Sequence, residues 1–330
     1  MTTIPRSPNP GGPAVRASRL LDAPIITPAT DPSIGTNING PSLIRVPDWV
    51  ESPLGRYYLY FADHYGSYIR LAYADDLLGP WNVHIPGSLH LSQSAFPKEI
   101  PRGLTSHDLG NLRALGQEVR LFPVTPHVAS PDVHVDESRR EIVMYFHGLE
   151  RFSDYRQSTD VAVSADGVQF APVGGHVPAA YLRAFRYRDM TYALTMPGRV
   201  YRSANGRSGF EPGPMLFGPA MRHSAVLRRD DTLHVFWTRV GDAPEAILHS
   251  TITISDDWMS WNEETHGVVL APEREWEGAD LPVERSQRGY IEKPANQLRD
   301  PAVFEENGRA FLLYCVAGES GIAIAEISGL

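Results

Sequence analysis

At 330 residues, with 42% hydrophobic residues and a formal net charge of −9, the chain can bury a substantial core. The acidic balance and the lack of a basic run argue against nucleic acid or an anionic membrane as partner. Its 28 Gly and 28 Pro are too many for long helices and suit short strands joined by tight turns, and one cysteine, Cys315, excludes an internal disulfide framework.

The first 18 residues are polar and rich in Pro and Gly, and they lack the apolar stretch of a secretory signal. No 18-residue apolar run follows elsewhere, so the expectation is a cytoplasmic protein with a disordered or extended segment over 1–18 and one folded domain over 19–330. Next, "SRLLDAPIIT" (18–27) is apolar enough to be a strand. Hairpin patterns then recur: "NGPSLIRVPDWVESPLGRYYLYF" (39–61), "SPDVHVDESRREIVMYF" (130–146), "AYLRAFRYRDMTYAL" (180–194), "RHSAVLRRDDTLHVFW" (222–237) and "RDPAVFEENGRAFLLYC" (299–315). Each has a small or polar start, an apolar strand, a polar turn and a second apolar-aromatic strand. A third strand follows in "IRLAYADDLLGPW", "TDVAVSADGVQF", "GRVYRSANGRSGF", "AILHSTITISDDWMSW" and the C-terminal "GIAIAEISGL". Two stretches, roughly 82–126 and 264–296, fall outside the repeat and are expected to be long loops shaping one face. Within the second, "EREWEGADLPVER" reads as solvated loop.

Five equivalent hairpins predict an all-β, five-bladed β-propeller, in which small sheets repeat radially and every copy has the same surroundings. The last repeat stops at its third strand, so residues near 19–26 are expected to supply its outer strand and close the ring. In such a ring, first-strand starts and second-strand ends share one face. The starts carry Asn39, Asp132, Tyr181, Arg183, Arg222, His223, Arg299 and Asp300, and the ends carry Asp63, His64, His147, Arg239 and Glu319. Taken singly, each has a plainer role. Asp132 and Asp300 suit capping of a strand start, the histidines suit hydrogen-bonded core or loop positions, and the arginines suit clamps between blades. Taken together they form a polar ring that is costly to desolvate unless something uses it.

These motifs resemble the five-bladed propeller glycosidases, namely the family 43 and 62 arabinofuranosidases and xylosidases, the family 32 fructosidases and the family 117 hydrolases. "ADDLLGPW" resembles a turn of their blades, "SPDV" their second-blade motif and "RDPAVFEENGRAFLLY" their recurrent hairpin, over about residues 37–327. The resemblance implies glycosidic-bond hydrolysis with an oligosaccharide as partner. The chain also departs from the pattern. Where the arabinofuranosidase-like enzymes place a catalytic-base Asp in "DPS", this sequence has "NGPS" with Gly40, Tyr181 occupies the third-blade acidic position, and His223 replaces the fourth-blade Glu. Family 117 is similar in placing a His among its acid candidates.

Hydrolysis needs a proton donor and a group that activates water or attacks. Asp132 or Asp300 is the candidate base, and His223 or Glu319 the candidate acid. Arg222, Arg239 and Arg299 suit a carboxylate or sulfate on the sugar. Asn39, Asp63, His64, His147, Tyr181 and Arg183 complete the candidate binding set. No cofactor and no metal-ligand set is expected, an axial structural ion being left open. Two rival classes stand beside hydrolysis: a lyase that eliminates across a uronate with Tyr181 and a histidine, and a propeller that binds sugar without turnover.

Overall fold

The computed structural model describes residues 15–64, 66–99, 125–152 and 155–330. After β1 (Arg16–Arg19), four sheets follow in chain order. The first holds β2 (Asn39–Arg45), β3 (Tyr57–Ala62), β4 (Tyr68–Ala74) and β5 (Asn82–His90). The second holds β6 (Val128–Asp136), β7 (Glu141–Arg151), β8 (Arg156–Ser164) and the short β9 (Ala171–Pro172). The third holds β10 (Arg183–Tyr187), β11 (Met190–Thr195), β12 (Arg199–Ser203) and β13 (Glu211–Met215), and the fourth β14 (Met221–Arg229), β15 (Thr232–Arg239), β16 (Ile247–Thr253) and β17 (Glu263–Leu270). The fifth is ordered β1-β20-β19-β18, from β18 (Arg299–Glu306), β19 (Arg309–Cys315) and β20 (Ile322–Ser328). This is a five-bladed β-propeller, as the repeats predict.

Local chemistry accounts for the hairpins. Between β18 and β19, Asn307 and Gly308 both take positive φ, 53° and 75°, the backbone a two-residue turn needs to match strand twist. The second strands run apolar without alternation because both of their faces are buried. On β3, Tyr58, Tyr60 and Ala62 pack toward the second blade, while Tyr57, Leu59 and Phe61 pack toward the fifth. Three further clusters fill the remaining blade interfaces, so apolar contact runs around the whole ring.

The N-terminal strand closes that ring. Arg16 to Arg19 pair antiparallel with Ser328 to Ala325, and the Ile25 and Ile26 amides both donate to the Ile322 carbonyl. The ladder therefore begins three residues upstream of where the apolar pattern places it, and its start falls inside the segment read as disordered or extended. Arg19 also donates from Nε and Nη2 to the two carboxylate oxygens of Glu277, each at 2.8 Å, and Tyr314 Oη donates to the same carboxylate at 3.0 Å. Glu277 is fully buried, so "EREWEGADLPVER" is not a wholly solvated loop. The two stretches set outside the repeat are also shorter than expected, since β5 and β17 are ordinary outer strands. Residues 100–124 of the first stretch, and 1–14 of the N-terminal segment, lie outside the described residues.

Three imidazoles, His234, His249 and His266, lie across β15, β16 and β17, with neighbouring ring centroids 5.2 and 5.1 Å apart. His234 Nδ1 and His249 Nε2 are 3.0 Å apart, within hydrogen-bond distance. Burial, and then the neighbouring rings, lower the His249 pKa to about 3. The unfolded ring titrates near 6.5, so the unfolded chain binds this proton first and the contribution to stability is lost as pH falls from about 6.5 toward 3. Melting temperature is expected to drop over that window. His249→Phe, packed on Phe236, should flatten the drop, and an unchanged slope would exclude the stack as its source.

Candidate active site

Four of the five inner strands begin with the same irregularity. Register shifts fall between Asn39 and Ser42, Ala129 and Asp132, Met221 and Ser224, and Arg299 and Ala302. At the second residue of this bulge, φ is positive for Gly40 (58°), Ser130 (45°) and Asp300 (46°), and Tyr181 (55°) occupies the same place before β10. Three of these four precede a proline, in Gly40-Pro41, Ser130-Pro131 and Asp300-Pro301. The residues equivalent to Asp300 are thus Gly40, Ser130 and Tyr181. Asp132 lies two residues deeper. A Cβ on Gly40 would meet Ser130 Cα at 2.9 Å, so this position has no ready space for a side chain.

The two-residue offset decides where Asp132 points. Its carboxylate accepts from the Ala184 amide at 2.8 Å and His134 Nε2 at 2.7 Å, with Arg183 Nη1 at 3.4 Å. Arg183 in turn donates to the carbonyls of Pro131 and Ser224, at 2.7 and 2.8 Å. Both residues are buried, and they line only one of two cavities. Asp132 and Arg183 line one of about 620 Å³ at the far ends of the inner strands. His64, Tyr181, Arg222 and His223 line another of about 340 Å³ at their starts. Asp132 therefore does not share a cavity with Tyr181 and His223, contrary to the expected convergence.

At the 340 Å³ cavity, two imidazoles each back onto a buried carboxylate. His223 Nδ1 contacts an Asp300 oxygen, and the other Asp300 oxygen accepts from the Gly40 amide at 3.4 Å. Burial, and then Arg222, holds the His223 pKa well below its ordinary value, which favours the neutral ring; a ring with Nδ1–H turned to Asp300 has Nε2 free to accept a proton. His64 Nδ1 lies 2.9 Å from Glu319 Oε2, which also accepts from Asn37 Nδ2 at 2.7 Å. Burial opposes charge on Glu319, but His64 and then Arg299 outweigh it and hold the pKa at about 2. Glu319 is thus an anion at neutral pH, and the proton-donor role read for it does not fit. Between the blades, the Tyr181 ring sits 4.2 Å from His223 and 4.3 Å from His147. Burial, and then the Glu319 charge, pushes the Tyr181 pKa up, so the phenol keeps its proton.

The other sequence candidates divide. Asn39 donates to Asn37 Oδ1 at 2.9 Å beside His64, and His147 is buried behind Tyr181. Asp63 accepts from Arg70 Nη2 at 3.0 Å, which fixes a guanidinium that also grips the Asn37 and Ala62 carbonyls. Arg239 pairs with Asp242 at 2.9 Å and is not among the cavity's lining residues. Arg222 and Arg299 donate to carbonyls of the loop after β17: both reach Gly289 O, at 3.2 and 3.1 Å, and Arg222 reaches Gln287 O. Glu245, fully buried, lies between them at 3.4 and 3.5 Å. These two guanidiniums are clamps, and an anion on the sugar cannot be assigned to them. The sequence reading missed Ser130, which the shared X-Pro signature identifies, and Glu245, Arg199 and Arg288, which no local pattern marks. Among the described residues, no group of three or more His, Cys, Asp or Glu is arranged to hold a metal ion.

No protein-family model matches the chain. It is 34% identical over 315 residues to an uncharacterized protein of Acanthamoeba polyphaga mimivirus, covering 88% of this chain and 83% of that one. Its fold is that of a family 43 β-xylosidase/α-arabinofuranosidase from a compost microbial metagenome, solved with xylotriose (TM-score 0.56, 13% identity, 96% of both chains). It is also similar to an exo-β-1,3-galactanase of Phanerochaete chrysosporium with β-1,3-galactotriose (TM-score 0.54, 11% identity, 87% of this chain and 60% of that one). A third neighbour is an N-acetylgalactosamine deacetylase of F. plautii with blood group B trisaccharide (TM-score 0.55, 11% identity, 94% of both chains). The same propeller thus carries more than one chemistry.

Proposed function

Because the chain belongs to the same family as the mimivirus protein and has the fold of the family 43 glycoside hydrolases, we propose that it cleaves a glycosidic bond of an oligosaccharide in the 340 Å³ cavity. The observation that carries this reading is the pair of imidazoles, His223 on Asp300 and His64 on Glu319, both lining that cavity. In hydrolysis, His223 Nε2 takes the proton of an attacking water while Asp300 fixes the ring and offsets the charge that forms. The water oxygen bonds to the anomeric carbon, the bond to the leaving oxygen breaks, and His64, held by Glu319, returns a proton to that oxygen. The usual pair of cavity-facing carboxylates is replaced by carboxylates acting through histidines.

One observation favours β-elimination as a second reading. Tyr181, protonated and flanked by His147 and His223, suits a donor to a leaving oxygen while a neutral His223 removes the ring proton of a uronate. Incubation with neutral and uronate oligosaccharides separates the readings. New reducing ends without ultraviolet absorbance indicate hydrolysis, and an absorbing unsaturated product indicates elimination. Binding without either product would overturn both and leave a sugar-binding propeller.

A further inference from the structure

The cavity's lining has a charge of one sign in a chain of net charge −9. Arg199, Arg222 and Arg288 line it together with His64 and His223, and among the described residues no Asp or Glu does. Behind the lining, Glu245 and Glu319 offset Arg222 and Arg299. Arg199 and Arg288 form no such ion pair. Among the described residues neither has a carboxylate within ion-pair distance. Arg199 Nη1 donates to Gly213 O at 2.8 Å, and Arg288 reaches only Pro219 O and, at 3.5 Å, the Met196 thioether. Both side chains are half-buried.

The position of Arg288 is built rather than incidental. Arg222 and Arg299 hold the carbonyls of Gln287 and Gly289, the residues on either side of it. The buried Glu245 keeps those two guanidiniums together, and the Leu298 amide donates to the Glu245 carbonyl at 2.9 Å. Two clamps and a buried acid therefore fix the backbone of one residue, whose side chain lines the cavity. Arg288 also lies near enough to Arg222 and to the buried Glu245 for their charges to act on it, in opposite directions. A guanidinium desolvated by its surroundings, with carbonyl and thioether partners only, has donors that an anion satisfies best.

We propose that Arg288, with Arg199, recognises an acidic group on the saccharide, a carboxylate or a sulfate, and sets it beside Tyr181. This deepens the saccharide reading and rests on it for the sugar alone, because binding is measured without turnover. The two sources of charge are separated by the probes: trigalacturonate, its fully methyl-esterified form, a sulfated galactose disaccharide and neutral xylotriose, each titrated by calorimetry into the full chain. At least one charged probe is expected to bind about 10-fold or more tightly than its neutral counterpart, with the preference weakening at high salt. Arg288→Ala should remove that preference while leaving weak neutral-sugar binding, and Arg288→Lys should keep part of it. Arg199→Ala should reduce it independently, and melting curves confirm that each variant is folded. Equal affinity for charged and neutral probes, no binding by any charged probe, or a preference intact in both alanine variants overturns the assignment. Charge-selective binding without bond cleavage would reject the cleavage reading and retain this one, and cleavage without charge preference would do the reverse.

Discussion

A chain lacking residues 1–27 is expected to lose at least about 5 kcal/mol of stability, about 7 °C or more in melting temperature, whereas one lacking residues 1–12 should melt like the full chain. The long deletion removes three contributions at once. Ile25 and Ile26, both buried, each contribute about 1.5–3 kcal/mol by leaving water. Loss of Arg19 strands the buried Glu277 carboxylate with only Tyr314 and backbone amides, and removing one partner of a buried pair typically costs about 3–5 kcal/mol. Loss of β1 also leaves β20 as an open edge able to pair with another chain, so aggregation on heating should accompany the lower transition. Arg19→Met isolates the second contribution and should fall between the two truncations. Equal melting of both truncations would show that the N-terminal strand does not hold the ring closed.

Asp300→Asn is expected to lower turnover about 10²–10⁴-fold, with little change in substrate affinity, because Asp300 acts through His223 rather than on the sugar. The amide preserves shape, and Asn tolerates the positive φ of 46° at this position, so melting should change little. What the variant loses is the charge that fixes the His223 tautomer and offsets the imidazolium as it forms. His223→Gln should cost a similar factor, and the double variant little more, since the two act as one unit. Asp132→Asn provides the contrast. Its carboxylate lines the other cavity, so its variant should lower stability through the Arg183 and Ala184 contacts and leave turnover within a few-fold. Near-normal kcat in Asp300→Asn, measured on the substrate found in the product assay, would remove the His223–Asp300 pair from the chemistry.

The repeated hairpins determined the propeller and its blade number without coordinates, because each blade needs its own turn chemistry, a second strand buried on both faces and a polar strand start. The same logic predicted closure by the N-terminal chain, displaced by three residues because the paired strand Arg16–Arg19 is itself half exposed and carries no apolar run. At the site, the sequence brought forward His64, Tyr181 and His223, which line one cavity, and Asp300 and Glu319, which contact two of those imidazoles from behind. Only the tertiary structure decided how they are used. The positive-φ position that Asp300 fills in its blade is Ser130 in the second, two residues before Asp132, so counting along the strand picks the wrong residue. The roles of the charges were equally hidden. Arg222 and Arg288 read alike in a sequence, yet one is engaged by Glu245 and loop carbonyls while the other faces the cavity without a carboxylate. That difference is set by residues of other blades and a distant loop, which no local pattern can encode.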